Sequence, residues 1–199
     1  MHRFMACGGL AGWVLLVACA AQATPITYIA YLSGPAESPP NASPATGTAN
    51  VTLDTAAHAL AVDIAFSGLL GTTMASHIHC CTAVPGGGTA MVATQTPSFG
   101  GFPLGVTSGT YSNVFDTSLS STWNPAFISA HGGTVAGAEA ELATALAADE
   151  AYLNVHSTFA PGGEIRGFLI PAPEPATLAV LVSGLLTLVI LRPTRSSSA

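Results

Sequence analysis

Residues 47–67 read GTANVTLDTAAHALAVDIAFS, and this stretch decides the fold class. Apolar side chains occupy every second position on either side of a polar turn at residues 54–58. The alternating apolar set comprises Val51, Leu53, Leu60, Val62 and Ile64. Alternation with a period of two is typical of strands that bury one face against a core and keep the other face polar. Two such strands joined by a short turn predict an antiparallel hairpin.

The alternating pattern continues on both sides of this hairpin. Further strands are predicted at residues 28–33, 74–80, 89–94, 109–115, 152–157 and 164–170. Segments rich in glycine and proline separate them, as is usual for turns. Eight short strands predict one antiparallel β-sandwich with Greek-key-like connections. The predicted core contains Ile78, Leu153, Val155 and Ile165 in addition to the five hairpin residues.

Two short helices are expected in the long connection between residues 118 and 151. Asn124 is a favourable N-cap residue and is followed directly by a proline, so a turn of helix is predicted over residues 126–129. Residues 135–148 are rich in alanine and have two leucines four positions apart, which predicts a helix with one apolar side. Both helices belong to a crossover within the β domain.

The first 23 residues follow the plan of a secretory signal peptide. A basic start at Arg3 leads into an uncharged apolar stretch, and Ala21 and Ala23 supply the small residues that signal peptidase requires. Cleavage is therefore expected after Ala23. The alternative is a lipobox that ends at Cys19, in which case Cys19 would be lipidated. Both interpretations export the chain.

The C-terminal end combines three features in a fixed order. These are Pro173-Glu174-Pro175, the uncharged apolar run 176–191, and a basic end with Arg192 and Arg195. Sixteen helical residues would span about 24 Å, slightly less than a ~30 Å bilayer core, and the arginines would remain in the cytoplasm. The order resembles the PEP-CTERM sorting signal of Gram-negative bacteria. This resemblance implies a transmembrane precursor in the inner membrane, recognition by an exosortase, and a final location at the cell surface or outside the cell.

Between the signal peptide (residues 1–23) and the sorting tail (residues 172–199) lies one acidic domain, residues 24–171. It has nine carboxylates, a single cationic side chain in Arg166 and no lysine, which leaves a formal charge of −8. Such a surface repels phosphate backbones, so no nucleic-acid partner is expected. With two cysteines in the signal peptide, only the adjacent pair Cys80-Cys81 remains, and this excludes a disulfide framework.

Strand parity brings a group of polar side chains to the face opposite the core. If the apolar residues of three strands point inward, the opposite face carries His77, His79, Asn154, His156, Glu164 and Arg166. Neighbouring strands lie only ~4.8 Å apart, so these side chains can touch if the three strands are neighbours in the sheet.

Two interpretations of this group remain open. In the first, it is a structural network in which Glu164 or another carboxylate pairs with Arg166. In the second, the histidines His77, His79 and His156 bind zinc or copper, because neutral imidazoles suit both metals. Parity also places Cys81 on the histidine side as a further candidate ligand. There are two alternatives to this role as a ligand. In one, the adjacent cysteines form a disulfide with each other, and in the other, both are ordinary small residues.

A hydrolase would need a nucleophile such as Ser76 or Ser157 together with a base and an oxyanion hole. The sequence contains no such constellation. An enzymatic activity is therefore not expected from these residues.

Several motifs spread over residues 27–170 resemble the CHRD domain. They are Tyr31-Leu32-Ser33-Gly34 with Glu37 and Pro39, Ala45-Thr46-Gly47, Phe66-Ser67-Gly68-Leu69, His77-Ile78-His79, and Tyr152-Leu153-Asn154-Val155-His156 with Gly162-Gly163-Glu164-Ile165-Arg166-Gly167. The resemblance implies an extracellular β-rich module without an established enzymatic activity. The Cys80-Cys81 pair departs from the family pattern, in which glycine and other small residues are more usual.

These features predict an exported, non-enzymatic binding or structural module of the cell envelope or extracellular matrix. The alternative is a metalloprotein that binds copper or zinc through the three histidines. The expected partners are signal peptidase, an exosortase, the membrane through residues 176–191, and an envelope polysaccharide or protein.

Overall fold

The computed structural model describes residues 24–173, which form nine strands and two α-helices. The strands are β1 (Ile26–Ser33), β2 (Thr46–Asp54), β3 (Ala59–Ser67), β4 (Thr73–Cys80), β5 (Met91–Val92), β6 (Gly109–Asp116), β7 (Ala151–Ser157), β8 (Ile165–Phe168) and β9 (Ile170–Pro171). The helices are α1 (Pro125–Ala130) and α2 (Val135–Ala147), preceded by a 3₁₀ turn at Ser120–Thr122. The predicted signal peptide and the sorting tail from Glu174 onward lie outside the described residues.

All the named strands belong to one antiparallel sheet, in the order β5-β4-β7-β8-β1-β2-β3-β6, with β9 also paired to β1. The mostly β, antiparallel class with few short helices is therefore confirmed. The sandwich-like fold is formed by one continuous sheet, which curls because the twist between neighbouring strands accumulates over a sheet of this width.

The segment 93–107 covers the free edge of β4 on its way to β6, the strand at the opposite edge of the sheet. The Phe99 N–H donates to the carbonyl of Ser76 over 3.1 Å. Further along, the Thr73 N–H donates to the Val106 carbonyl over 2.8 Å, and the Gly105 N–H donates back to Thr73 over 2.9 Å. The part of β4 that β5 leaves unpaired is thereby shielded from pairing with another chain.

The concave inner face of the sheet holds the hydrophobic core. Every residue of the predicted core is buried, with at most 5% of its surface exposed: Val51, Leu53, Leu60, Val62, Ile64, Ile78, Leu153, Val155 and Ile165. The hairpin of β2 and β3 pairs in register from Thr46 opposite Ser67 to Asp54 opposite Ala59. Alternation in the sequence therefore indicated both the strands and the side of each that packs inward.

Two predicted strands are shorter than expected. The strand predicted at 89–94 contracts to the two residues of β5, whereas the strand predicted at 164–170 divides into β8 and β9. The division falls at Leu169, which is fully buried and donates its N–H to the carbonyl of Ala151. β8 thus pairs with β7 on one side and with β1 on the other, and β9 continues the pairing with β1.

The two helices begin at the caps that the sequence provides. The Asn124 side chain accepts from the Ala126 N–H at the start of α1, and the Thr134 side chain accepts from the Gly137 N–H at the start of α2. Leu142 and Leu146 lie on one side of α2 and are fully buried, so this helix packs against the β domain. Within residues 24–173, no helix has the length and apolarity needed to cross a bilayer.

The convex outer face of the sheet divides into two parts. The covered half consists of the outward side chains of β4, β7 and β8, over which several loops fold. The open half consists of the outward side chains of β1, β2, β3 and β6, most of which are exposed.

Candidate metal centre

The strand register places the predicted polar side chains side by side on the covered half. His77 on β4 lies opposite Asn154 on β7, and Asn154 lies opposite Arg166 on β8. His156 lies two residues further along β7, opposite Ala75. Parity puts all of these side chains on the face away from Ile78 and Val155, which are fully buried in the core.

Three imidazole rings meet at this point. One ring nitrogen from each of His77, His79 and His156 lies within 4.8 Å of the others. The closest approach is 3.2 Å, between Nδ1 of His77 and Nε2 of His156. The rings also pack on one another with centroid separations of 5.1 Å to 5.9 Å. The three side chains thus form one compact group, which we call the histidine cluster.

Backbone carbonyls decide which nitrogen of each ring carries the proton. Nε2 of His77 donates to Pro97 O over 2.7 Å, Nδ1 of His79 donates to Ala90 O over 2.9 Å, and Nδ1 of His156 donates to Pro161 O over 2.9 Å. A carbonyl oxygen can only accept, so in a neutral ring the other nitrogen is left with a lone pair.

Three nitrogens keep a lone pair, and those of His77 and His156 face each other. The three are Nδ1 of His77, Nε2 of His79 and Nε2 of His156. Nε2 of His79 is buried and has no hydrogen-bond partner among the described residues. Three acceptors therefore converge with no donor between them.

The surroundings keep the rings neutral. Burial lowers the pKa of His77 to about 4, with a further lowering by the neighbouring His156. Burial likewise lowers the pKa of His79 to about 4, and it lowers the pKa of His156. At neutral pH the histidine cluster therefore presents three unprotonated imidazoles, the form that binds metal.

The spacing of one pair of these nitrogens matches that of two ligands on a metal ion. Bonds of ~2.0–2.1 Å from zinc to imidazole nitrogen in a tetrahedral site separate two ligand atoms by about 3.3 Å. The 3.2 Å between His77 and His156 agrees with this value. The proton on the far nitrogen of each ring is held by a carbonyl, which is the usual outer support of a histidine ligand.

An aromatic and cationic stack flanks the histidine cluster on one side. The Tyr152 ring lies parallel to His79, with the centroids 4.8 Å apart, and the guanidinium of Arg166 lies 4.7 Å from the Tyr152 centroid. Arg166 donates to Ala36 O over 2.5 Å and to Gly88 O over 2.9 Å. The same arginine thereby fastens two loops over the covered half of the sheet.

Arg166 has Glu37 as its acidic neighbour, with 3.8 Å between Nε and Oε2. Burial raises the pKa of Glu37 to about 7, although the Arg166 charge acts to lower it. Oε1 of Glu37 and Oδ1 of Asn154 are buried without a hydrogen-bond partner among the described residues. The sequence had assigned no role to Glu37, because it is 129 positions from Arg166 and neither strand pattern nor spacing connects them.

Glu164 departs from the predicted group. It precedes β8 and therefore escapes the parity of that strand. Its carboxylate accepts from the Ser43 and Ser157 hydroxyls and from the N–H groups of Leu70 and Gly71. Although burial raises the pKa of Glu164, these four donors together hold it below its ordinary value. Glu164 thus connects several loops by hydrogen bonds, and Glu37 is the acidic side chain next to Arg166.

Cys81 does not join the histidine cluster. It follows β4 and forms a disulfide with Cys80, whose side chain is 1% exposed in the core. A sulfur in a disulfide offers no thiolate, so Cys81 is not a metal ligand in this state. Parity alone could not decide this, because the strand ends before Cys81.

The two serines considered as nucleophiles have structural partners instead. The Ser76 hydroxyl donates to Asn154 O over 2.9 Å, and the Ser157 hydroxyl donates to Glu164. The carbonyl groups of Pro97, Ala90 and Pro161 are the part of the centre that sequence reasoning missed. Every residue has a carbonyl, so no signal in the sequence distinguishes these three.

Comparison with known proteins supports the fold and motifs. No curated protein and no solved structure matches the chain. The family profile of the CHRD domain matches residues 28–169, which include eight of the nine strands; the first two residues of β1 and the whole of β9 lie outside the match. Because this match covers more than half of the chain, the protein belongs to the CHRD domain family.

Proposed function

We propose that this chain is an exported, non-enzymatic envelope protein whose CHRD domain holds a copper or zinc ion through His77, His79 and His156. The observation that supports this proposal is the convergence of three unprotonated imidazole nitrogens, each ring being oriented by a backbone carbonyl. Without a cation, the lone pairs of His77 and His156 would face each other at 3.2 Å.

A purely structural network explains the histidine cluster less well. Such a network needs a donor for each acceptor, yet the three ring protons are all used on backbone carbonyls. A shared proton would require an imidazolium, which the low pKa of about 4 of His77 and His79 disfavours at neutral pH. A metal ion supplies the missing positive charge and satisfies all three nitrogens at once.

The proposed centre would hold the ion through three protein ligands, one from each histidine. Three neutral imidazoles suit either copper or zinc, and the half-buried position of His156 leaves room for a water as a fourth ligand. A bound ion would join β4 to β7 and, through the carbonyls of Ala90, Pro97 and Pro161, would also stabilise three loops. The proposed role is therefore that of a rigid extracellular module.

Export and sorting complete the proposal. The signal peptide at residues 1–23 would direct the chain through the inner membrane, and the tail from Pro173 to Arg195 would be cut by an exosortase near residues 173–176. Mass spectrometry of the C-terminal peptide tests this step in hosts with and without the sorting enzyme. Recovery of an intact peptide 192–199 on protein from the native cell surface would exclude processing.

Metal analysis of the purified full chain tests the centre. The protein is stripped with a chelator, reloaded separately with zinc or copper, dialysed, and measured by elemental analysis. About one ion per chain is expected, with nitrogen ligands in the X-ray absorption spectrum. The double variant His77→Ala/His79→Ala and the single variant His156→Gln should lose the ion.

A matched control is His131→Gln, since His131 lies by Glu141 outside the histidine cluster. It should bind as much metal as the original chain. Circular dichroism must show that each variant is folded, and His156→Gln remains informative if the double variant is not. The proposal is wrong if the unaltered chain binds no stoichiometric metal, or if His156→Gln binds it with unchanged affinity.

A further inference from the structure

The open half of the outer face carries side chains of a different kind from those of the histidine cluster. Rows of small residues cross its strands in register. Tyr31 lies opposite Thr48, which is followed across the sheet by Ala65 and Thr110. In the next row Ser33, Thr46 and Ser67 are neighbours. Hydroxyl groups therefore lie on neighbouring strands ~4.8 Å apart, except where Ala65 separates Thr48 from Thr110.

Two clefts open on this half of the outer face. A cleft of about 810 Å³ lies between Tyr31, Thr48 and Thr110, and an adjoining cleft of about 310 Å³ lies over Asn50, Asp63 and Ser112. The four strands that form them extend over about 14 Å from β1 to β6, the length of a short oligosaccharide.

Tyr31 is the aromatic side chain of this surface. It is 72% exposed, although a tyrosine ring on a strand is usually buried against neighbours. Beside the ring stand hydroxyl groups that can both donate and accept hydrogen bonds. An exposed ring with neighbouring hydroxyls matches a sugar, which presents C–H groups on its faces and hydroxyl groups around its edge.

The charges indicate which sugars fit. Asp63 is the only charged side chain that lines the two clefts, and the domain as a whole has one cation, Arg166, which is buried. An anionic glycan would meet repulsion without any compensating cation. A protein partner is also disfavoured, because the cores of protein interfaces are rich in large apolar and aromatic residues, whereas small polar residues dominate here.

We propose that the clefts of the open half bind a neutral polysaccharide, with Tyr31 stacking on a sugar ring and Thr48 and Thr110 bonding to its hydroxyls. This site does not share a residue with the histidine cluster. It therefore stands or falls independently of metal binding. It gives the exported module a means of attachment to matrix or envelope glycans.

Affinity gel electrophoresis of the full chain in mild detergent tests the proposal. Native gels contain no polymer, a neutral polymer such as dextran, hydroxyethyl cellulose or xyloglucan, or an acidic polymer such as alginate. Retardation is expected in at least one neutral polymer and not in alginate. Tyr31→Ala should weaken the affinity tenfold or more, and Thr48→Val should weaken it by a smaller factor.

Val114→Ala is the matched control, because Val114 is 66% exposed on β6 of the same face but lines neither cleft. Its mobility should equal that of the unaltered chain in every gel. The proposal is overturned if no neutral polymer retards the chain, if Tyr31→Ala is retarded equally, or if alginate binds more strongly. It is also overturned if light scattering shows a dimer that Tyr31→Ala disrupts, since a second copy would then occupy the face.

Discussion

The covered half and the open half of the outer face come from one sheet and one rule of alternation, yet their chemistry differs completely. On the covered half, His77 and His79 are less than a tenth exposed, and their pKa values fall to about 4. On the open half, Tyr31 and Thr48 stand in solvent. A side chain on the face opposite the core is therefore not always exposed to solvent. Loops cover part of that face and exclude water from the residues beneath them.

Among the substitutions that test this comparison, replacement of the buried Glu164 should change the stability most. Glu164→Ala removes the acceptor for two hydroxyls and two N–H groups that fix the loops next to the covered half. Leaving such donors unpaired in the interior should lower the free energy of unfolding by about 3–5 kcal/mol. Urea denaturation measures this change, and a loss below about 1 kcal/mol would contradict the role given to Glu164.

Two adjacent glycines provide a second test on the covered half. Gly163 has a φ of +136°, and an added Cβ would lie 2.5 Å from Nδ2 of Asn154 and 2.7 Å from Oε1 of Glu37. Gly163→Ala should therefore lower the free energy of unfolding by about 2–3 kcal/mol. Gly162 has no atom within 4 Å of its added Cβ, so Gly162→Ala should change stability little. Similar thermal midpoints for the two variants would show that the turn tolerates a side chain.

The pH dependence of stability isolates the Glu164 charge. Its pKa is lowered in the folded state, so its contribution is complete above the unfolded value of about 4.3 and is lost as the pH falls through the folded pKa. Glu164→Gln cannot titrate, so the difference in unfolding free energy between the original chain and this variant should shrink on acidification below about pH 4.3. Denaturation series from pH 6 to pH 3 check this. A difference that stays constant or grows would be inconsistent with an ionised Glu164.

The smallest effect is expected on the open half. Thr48 is exposed, and Thr48→Val keeps the β-branched shape while it removes a hydroxyl that faces solvent. The free energy of unfolding should change by less than about 0.5 kcal/mol, as is usual for exposed positions. A chemical denaturation curve measures it. A larger loss would mean that the open half is covered in solution, and it would remove the contrast between the two halves.

Much of the fold was accessible from sequence because alternation reports burial directly. The hairpin of β2 and β3, the inward side of β4 and β7, and the Asn124 cap of α1 were all predicted from neighbouring residues. The single curled sheet was not, because alternation does not reveal which strands are neighbours. The division of the last strand at Leu169 depends on pairing with Ala151 and likewise has no local signal.

The candidate site shows the same limit. Parity correctly grouped the three histidines, Asn154 and Arg166, but it misplaced Glu164, which lies just before its strand begins. Two further features depend on the positions of loops. They are the disulfide, which excludes Cys81 from the metal ligands, and the proximity of Glu37 to Arg166.

The sequence by itself determined the antiparallel β class, the face on which each strand residue points, the excess of acidic groups and the resemblance to CHRD domains. These properties depend on the types of residue and on the alternation of side chains between the two faces of a strand, which is a local property of the backbone. The tertiary structure alone shows which carbonyls orient the histidine rings, which acidic side chain lies beside Arg166 and which half of the outer face is covered by loops. Those contacts join residues far apart in the chain, and their energies depend on the removal of water by loops that no local pattern places.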